Sequence, residues 1–296
     1  MHQLTTSLAV ALALFGAALA HAQDRPRVVT VNYPLQYLAE ALLGDAAEVD
    51  FPVPADVDPS FWRPAIADIS AIQSADLIVL NGAAFATWVD RVTLPRSKVV
   101  NSTAAISDRF IVTESITHSH GAGDEHSHEG LASYTWLDPT LAIAQAEAIA
   151  AAITARGLAP QTDVADRLAA LTSRLSALDA QASAGLAGLA DVTMIATHPR
   201  YQYFARRYGL TIDALEWEAG ATPTDAELAD LQAMIAETGA TVLIWEGEPD
   251  PAAFAATAAL GLRNVVFPTL AHGIEDQSFA DVMGAAIAAL ADIPVE

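Results

Sequence analysis

One stripe of apolar residues organises the middle of this chain. Val164, Leu168, Leu171, Leu175, Leu178, Ala182, Leu186 and Leu189 recur at spacings of three and four. That is the pattern of an amphipathic helix burying one face. Run from Gln161 to Leu189, it would be about 43 Å long at 1.5 Å per residue. A break near Gly185 would divide it into two shorter helices, and both readings stay open. A helix this long would hold its flanking units at a nearly fixed angle.

Both flanks read as strands alternating with helices. The first has short apolar runs at Val28–Asn32, Glu48–Val53, Asp76–Asn81 and Lys98–Asn101. The second has them at Val192–Thr197, Thr211–Leu215, Thr241–Glu246 and Asn264–Phe267. Such alternation implies parallel sheets with helices on their faces. Pro34 and Pro64 stand where helices can start. Thr224 and Glu227 form a capping box, with Gly239 as the matching stop. The expected fold is α/β, with two parallel-sheet α/β lobes joined by one long bridging α-helix.

The ends of the chain set a second constraint. Leu8–Ala20 is an uninterrupted apolar run followed by Ala20-His21-Ala22, an A-x-A signal. The run is shorter than the roughly 20 residues a spanning helix needs. It fits a secretory signal peptide cleaved near Ala22, although Met1–Ser7 has no Lys or Arg. Mean hydropathy is +0.31, but alanine supplies about a fifth of the residues and inflates it. The expected organisation is residues 1–22 as signal peptide, 23–159 as the first lobe, 160–190 as the bridging helix and 191–296 as the second lobe. The location that follows is periplasmic. The chain has no cysteine, which suits an oxidising compartment and leaves no site for a lipid anchor.

Charge removes further classes. Thirty-six acidic side chains against 14 basic ones give a net −22, and Lys98 is the only lysine. Nucleic acid is bound by neutralising phosphates with Lys and Arg, so it is excluded as a partner. Cysteine-based catalysis is excluded as well. No P-loop, G-x-S-x-G elbow or H-E-x-x-H is present.

Two groups of histidines remain. His118, His120, His126 and His128 crowd one segment, 117–129, broken by Gly121 and Gly123. His-rich tracts bind zinc, copper or nickel, here as a loose collector without fixed geometry. His198 instead follows an apolar strand directly. Ligands of open α/β sheets bind outside the carboxyl ends of the strands.

In combination, four segments resemble the TroA-like substrate-binding proteins of zinc and manganese ABC importers. They are Asp58-Pro59-Ser60-Phe61-Trp62-Arg63-Pro64, Ala75–Val79 with Asn81-Gly82 and Trp88, Trp136-Leu137-Asp138-Pro139, and Ala196-Thr197-His198 with Tyr203–Leu210. The resemblance covers nearly all of the chain after residue 22. It implies two α/β lobes, a long bridging helix and a metal held between the lobes by three histidines and a carboxylate. Zinc is the implied cargo and manganese the second. The partner would be an ABC-transporter membrane permease, and the protein would be a monomer and no enzyme. The His-rich segment lies where zinc-specific members carry one.

At the implied ligand positions the chain departs from that set. Ser60 and Tyr134 stand where two histidines are expected, and Pro268 where the carboxylate is. Only His198 is kept. A rebuilt metal site would draw on Asp58, Glu218, Glu246, Glu248 or His272, with Glu246 and His272 the best placed. The alternative is a cleft for a metal chelate or small organic ligand, lined by Ser60, Trp62, Tyr134 and Trp136 with Arg200 as a cation for a carboxylate or phosphate. A metallohydrolase using His198 is the remote alternative, and no motif supports it.

Overall fold

A computed structural model of the chain describes residues 25–113, 130–217 and 221–294. The first parallel sheet contains β1 (Arg27–Thr30), β2 (Glu48–Asp50), β3 (Leu77–Leu80) and β4 (Val99–Asn101) in the order β2-β1-β3-β4. Helices α1 (Tyr33–Leu43), α2 (Ile66–Ser74) and α3 (Pro139–Arg156) belong to this lobe. A two-stranded antiparallel ribbon, β5 (Val112–Thr113) and β6 (Gly130–Leu131), flanks residues 114–129.

The bridging helix α4 runs Gln161–Gly185. The second parallel sheet follows, with β7 (Thr193–Ala196), β8 (Thr211–Ala214), β9 (Val242–Trp245) and β10 (Arg263–Val266) in the order β10-β9-β7-β8. Its helices are α5 (Gln202–Tyr208), α6 (Asp225–Thr238), α7 (Pro251–Ala259) and α8 (Phe279–Ala291). Among the described residues, no helix is long and apolar enough to cross a membrane.

The two sheets share one topology. In each, the second strand takes an outer edge, the first lies beside it, and the third and fourth follow on the other side. Strand order therefore reverses between β1 and β3, and again between β7 and β9. Those are the switch points where α/β sheets open a crevice. Their strands are apolar on both faces because helices cover both: Val28, Val29, Ile78, Val79, Ile195 and Ile244 are all buried.

Local chemistry fixes the helix starts. The Asn32 side chain accepts from the Leu35 amide, with Pro34 in the first turn of α1. Thr224 and Glu227 form the reciprocal capping box of α6, and Gly239 closes that helix in the left-handed region.

Helix α4 is shorter than its apolar stripe. It ends at Gly185, giving about 37 Å, and Ala187–Leu189 forms a separate 3-10 turn. A turn of three residues keeps Leu186 and Leu189 on the stripe, which is why the spacing overran the helix. At Gly185 a Cβ would stand 3.0 Å from that of Ala291, so α8 passes close by. The stripe packs on α1 and α3 of the first lobe and on α8 of the second. One apolar cluster then runs through both lobes, from Val28 and Leu77 to Val242, Ile244 and Leu290.

Candidate functional site

The first lobe builds its side of the site on a buried polar network at the end of β3. The Asn81 amide nitrogen donates to the Ser133 carbonyl at 3.0 Å. Its amide oxygen accepts from Gln145 at 3.0 Å. Gln145 also donates to the Ser102 hydroxyl at 2.9 Å and accepts from the Thr135 hydroxyl at 3.2 Å. These bonds grip Ser133 and Thr135, the residues on either side of Tyr134. Gly82 permits the turn beside them: its φ is +75°, and a Cβ there would stand 2.2 Å from the Asn101 side-chain oxygen.

Tyr134 packs among Phe85 and Trp136, with ring centroids 5.6 and 4.7 Å away, and its hydroxyl meets the Ser60 side chain. Ser60 donates from its hydroxyl to one Asp58 oxygen at 2.6 Å and from its amide to the same oxygen at 2.8 Å. The loop after β2 thus presents a carboxylate locked by its own neighbour.

The second lobe contributes its switch-point residues. His198 follows β7, and Glu246 follows β9. The His198 Nδ1 lies 2.8 Å from the Trp217 carbonyl, so Nδ1 carries a hydrogen, and in the neutral ring Nε2 carries the lone pair. Such a bond to a carbonyl is what orients metal-binding imidazoles. Arg200 reaches from the turn before α5 toward the other lobe. Its Nη2 donates to Asp58 Oδ2 at 2.8 Å, its Nε stands 3.8 Å from Glu246 Oε2, and its Cζ lies 4.5 Å from the Tyr134 ring centroid. The Arg200 side chain is 9% exposed and that of Glu246 is 12% exposed.

Burial dominates the electrostatics. It pushes the Glu246 carboxyl above the usual range, Asp58 pushes it further, and Arg200 and His198 pull it back. Burial also raises the Tyr134 and Tyr201 phenols far above their ordinary value, so both stay neutral. A neutral phenol and a serine hydroxyl are poor partners for a divalent ion and good ones for hydrogen bonds.

The structure therefore brings Ser60, Tyr134, His198, Arg200 and Glu246 to one point between the lobes, together with Asp58. It does not bring Trp62 or His272 there. Trp62 lies in the core of the first lobe, edge-on to Trp88 at 5.9 Å, because its indole is too apolar to leave exposed. His272 Nε2 bonds to the Val57 carbonyl at 2.7 Å, a tie between lobes. Trp136 is core as well and donates to the Thr269 carbonyl at 2.8 Å. His118, His120, His126, His128 and Glu218 lie outside the described residues. Tyr201, whose hydroxyl donates to the Phe267 carbonyl at 2.5 Å, is a member of the site that motif reading did not single out. Its only sequence signal is adjacency to Arg200. Among the described residues, no three His, Cys, Asp or Glu side chains converge to hold a metal ion.

A family model settles the kinship. That of ZnuA, the periplasmic component A of the zinc-uptake complex, matches residues 28–293. The chain belongs to the ZnuA family. Zinc-binding lipoprotein AdcA of Streptococcus pneumoniae is 28% identical over 239 residues, covering 78% of this chain and 48% of AdcA. The chain thus spans about half the length of that relative. The manganese ABC transporter substrate-binding lipoprotein PsaA of the same species is 28% identical over 209 residues, covering 69% of this chain and 65% of PsaA. The solved structure of the metal-dependent lipoprotein YcdH from Bacillus subtilis superposes with a TM-score of 0.75 at 23% identity. It covers 90% of this chain and 98% of YcdH, and it shows the fold.

Proposed function

We propose that the chain is the exported substrate-binding component of a metal-type ABC importer. It captures zinc, with manganese second, between its lobes and delivers it to a membrane permease. The leader is removed near Ala22, and the protein works outside the cytoplasm as a monomer. Residues 23–159 and 191–296 act as the two lobes, and 160–190 as the bridge. The continuous core along α4 supports a small closure movement rather than a wide hinge swing.

One observation carries the metal reading. His198 is pre-oriented by the Trp217 carbonyl, with its Nε2 lone pair left for a cation and Glu246 on the neighbouring strand end. Neutral imidazole and carboxylate are both zinc ligands. The His-rich segment, through His118, His120, His126 and His128, serves as a loose collector that feeds the cleft.

The test is a zinc titration against a competing chelator in a chain with those four histidines changed to Asn. A single tight zinc that is weakened at least tenfold by His198→Ala supports the reading. Absence of any tight zinc overturns it.

A second reading is favoured by the Arg200 ion pair and the neutral Tyr134 ring. They suit a metal chelate or small organic ligand, held by hydrogen bonds and one cation. Native mass spectrometry of protein taken directly from cells tests it. A reproducible mass increment that is not a bare metal ion supports this alternative.

A further inference from the structure

We infer that Arg200 is a cation built into the site, and that it competes with the metal ion for the site's two carboxylates. The inference rests on the metal-importer reading and deepens it. Its evidence is where the guanidinium stands. The group lies between a carboxylate of each lobe, Asp58 at 2.8 Å and Glu246 at 3.8 Å, beside the switch-point histidine of the second lobe. Those are the anionic groups the described residues offer a divalent ion at this point. While Arg200 holds them, no three ligating side chains converge. A metal ion gains access to Asp58 and Glu246 only by displacing it.

The energetics are those of a tethered competitor. A group carried on the same chain acts at a high effective concentration, so a free ion must outcompete it. The competitor is also incompletely satisfied. Arg200 Nε is buried and has no hydrogen-bond partner among the described residues. A buried donor left without a partner is costly, so the guanidinium is held here less firmly than its ion pairs suggest. Displacement is therefore feasible for a strongly bound ion. It lowers the affinity of every divalent ion by the same factor. Weak binders drop out, and only the strongest binders of nitrogen and oxygen ligands remain held at trace concentration.

The experiment compares zinc affinities of the full chain carrying His118, His120, His126 and His128 as Asn, with and without Arg200→Met or Arg200→Lys. Methionine keeps the apolar stem and removes the charge. Lysine keeps the charge. Arg200→Met is expected to bind one zinc at least tenfold more tightly than the parent, and Arg200→Lys within threefold of it. The inference falls if Arg200→Met is no tighter, or if Arg200→Lys tightens as much as Arg200→Met. Equal tight binding by parent and Arg200→Met overturns this inference and leaves zinc as cargo. Binding by neither overturns the cargo itself.

Should Arg200→Met not fold, the parent supplies a second measurement. Zinc is expected to speed modification of Arg200 by an arginine-selective dicarbonyl reagent at least threefold, read by peptide mass. A rate that is unchanged or slower overturns the inference.

Discussion

The indole nitrogen of Trp136 donates to the carbonyl oxygen of Thr269 at 2.8 Å, across 133 residues of sequence and from one lobe to the other. Within the second lobe, the Tyr201 hydroxyl donates to the Phe267 carbonyl. These two carbonyls bracket Pro268, the position where the family resemblance implies a metal-binding carboxylate. The segment has become a backbone anchor. Trp136→Phe keeps most of the buried ring and leaves the Thr269 carbonyl without this donor. The expected loss is about 1–3 kcal/mol of unfolding free energy, the cost of a buried unpaired acceptor. Urea denaturation followed by near-UV circular dichroism checks it. A midpoint within error of the parent would show that the tie contributes nothing.

Helix α4 is pinned to the second lobe by charge as well as by its apolar stripe. Arg207 on α5 donates to both oxygens of Asp179, at 2.8 and 2.6 Å, and Tyr208 donates to one of them at 3.1 Å. The Arg207 hydrogen bonds hold the Asp179 carboxyl below its ordinary range, against the opposing push of burial. A carboxyl lowered in the folded state adds stability above its unfolded value, near 3.9, and loses it as pH falls through the folded one. Arg207 is 37% exposed, so solvent screening holds the contribution to about 1 kcal/mol or less. Asp179→Asn is therefore expected to be less stable than the parent at pH 7, with the gap closing below about pH 4. Thermal unfolding of both proteins from pH 7 to pH 3 measures it, and a gap that widens in acid would refute the assignment.

The strands were legible because parallel strands covered on both faces are written as continuous apolar runs. The α6 capping box was legible because all its partners lie within three residues. The end of α4 was legible only as one of two readings, the break near Gly185, since Leu186 and Leu189 keep the stripe through a 3-10 turn. At the site, His198 stood out by its place at a strand end. Arg200 was readable as a cation for a carboxylate or phosphate but not as the partner of Asp58, which lies 142 residues away. The carboxylates it meets belong to the chain itself, one from each lobe. Trp62 and His272 illustrate the same limit. Their side chains suit a cleft chemically, but the Trp88 ring and the Val57 carbonyl take them.

The turn after β3 has little tolerance. Gly82 has φ +75°, and Ala83 and Ala84 follow it in the left-handed region at +47° and +57°. Non-glycine residues there cost on the order of 1 kcal/mol each, so the turn already carries strain. Gly82→Ala adds a third such residue and drives its Cβ to 2.2 Å from both the Asn101 side-chain oxygen and the Thr103 hydroxyl. The expected destabilisation is about 2–3 kcal/mol. A control at Gly157 separates the two causes, because it has a similar φ of +64° and nothing within 4 Å of a Cβ. Gly157→Ala is expected to cost only about 1 kcal/mol in the same denaturation assay. Equal losses at the two positions would mean that crowding at Gly82 is absorbed.

Gln145 lies on α3, is fully buried, and holds the residues that carry Tyr134 without touching the site itself. Replacing it with leucine keeps a similar volume and removes its bonds to Asn81, Ser102 and Thr135. The Thr135 hydroxyl then looks for a partner inside the core, while the Asn81 oxygen and the Ser102 hydroxyl keep only their long bonds from Asn32 and to the Asn81 carbonyl. Each neutral group left unpaired costs about 1–3 kcal/mol, and rotation of the hydroxyls recovers part of it, so about 3 kcal/mol is expected in all. The loss should also reach the ligand site. Asn81 positions Ser133, and Thr135 loses its anchor, so the Tyr134 ring is no longer fixed against the Arg200 guanidinium. Gln145→Leu is therefore expected to change zinc affinity at least threefold while the protein stays folded at 25 °C. Gln145→Asn, which retains an amide one methylene shorter, should restore neither the stability nor the affinity in full. A Gln145→Leu protein with reduced stability and unaltered affinity would separate the network from the site and leave it a purely structural feature.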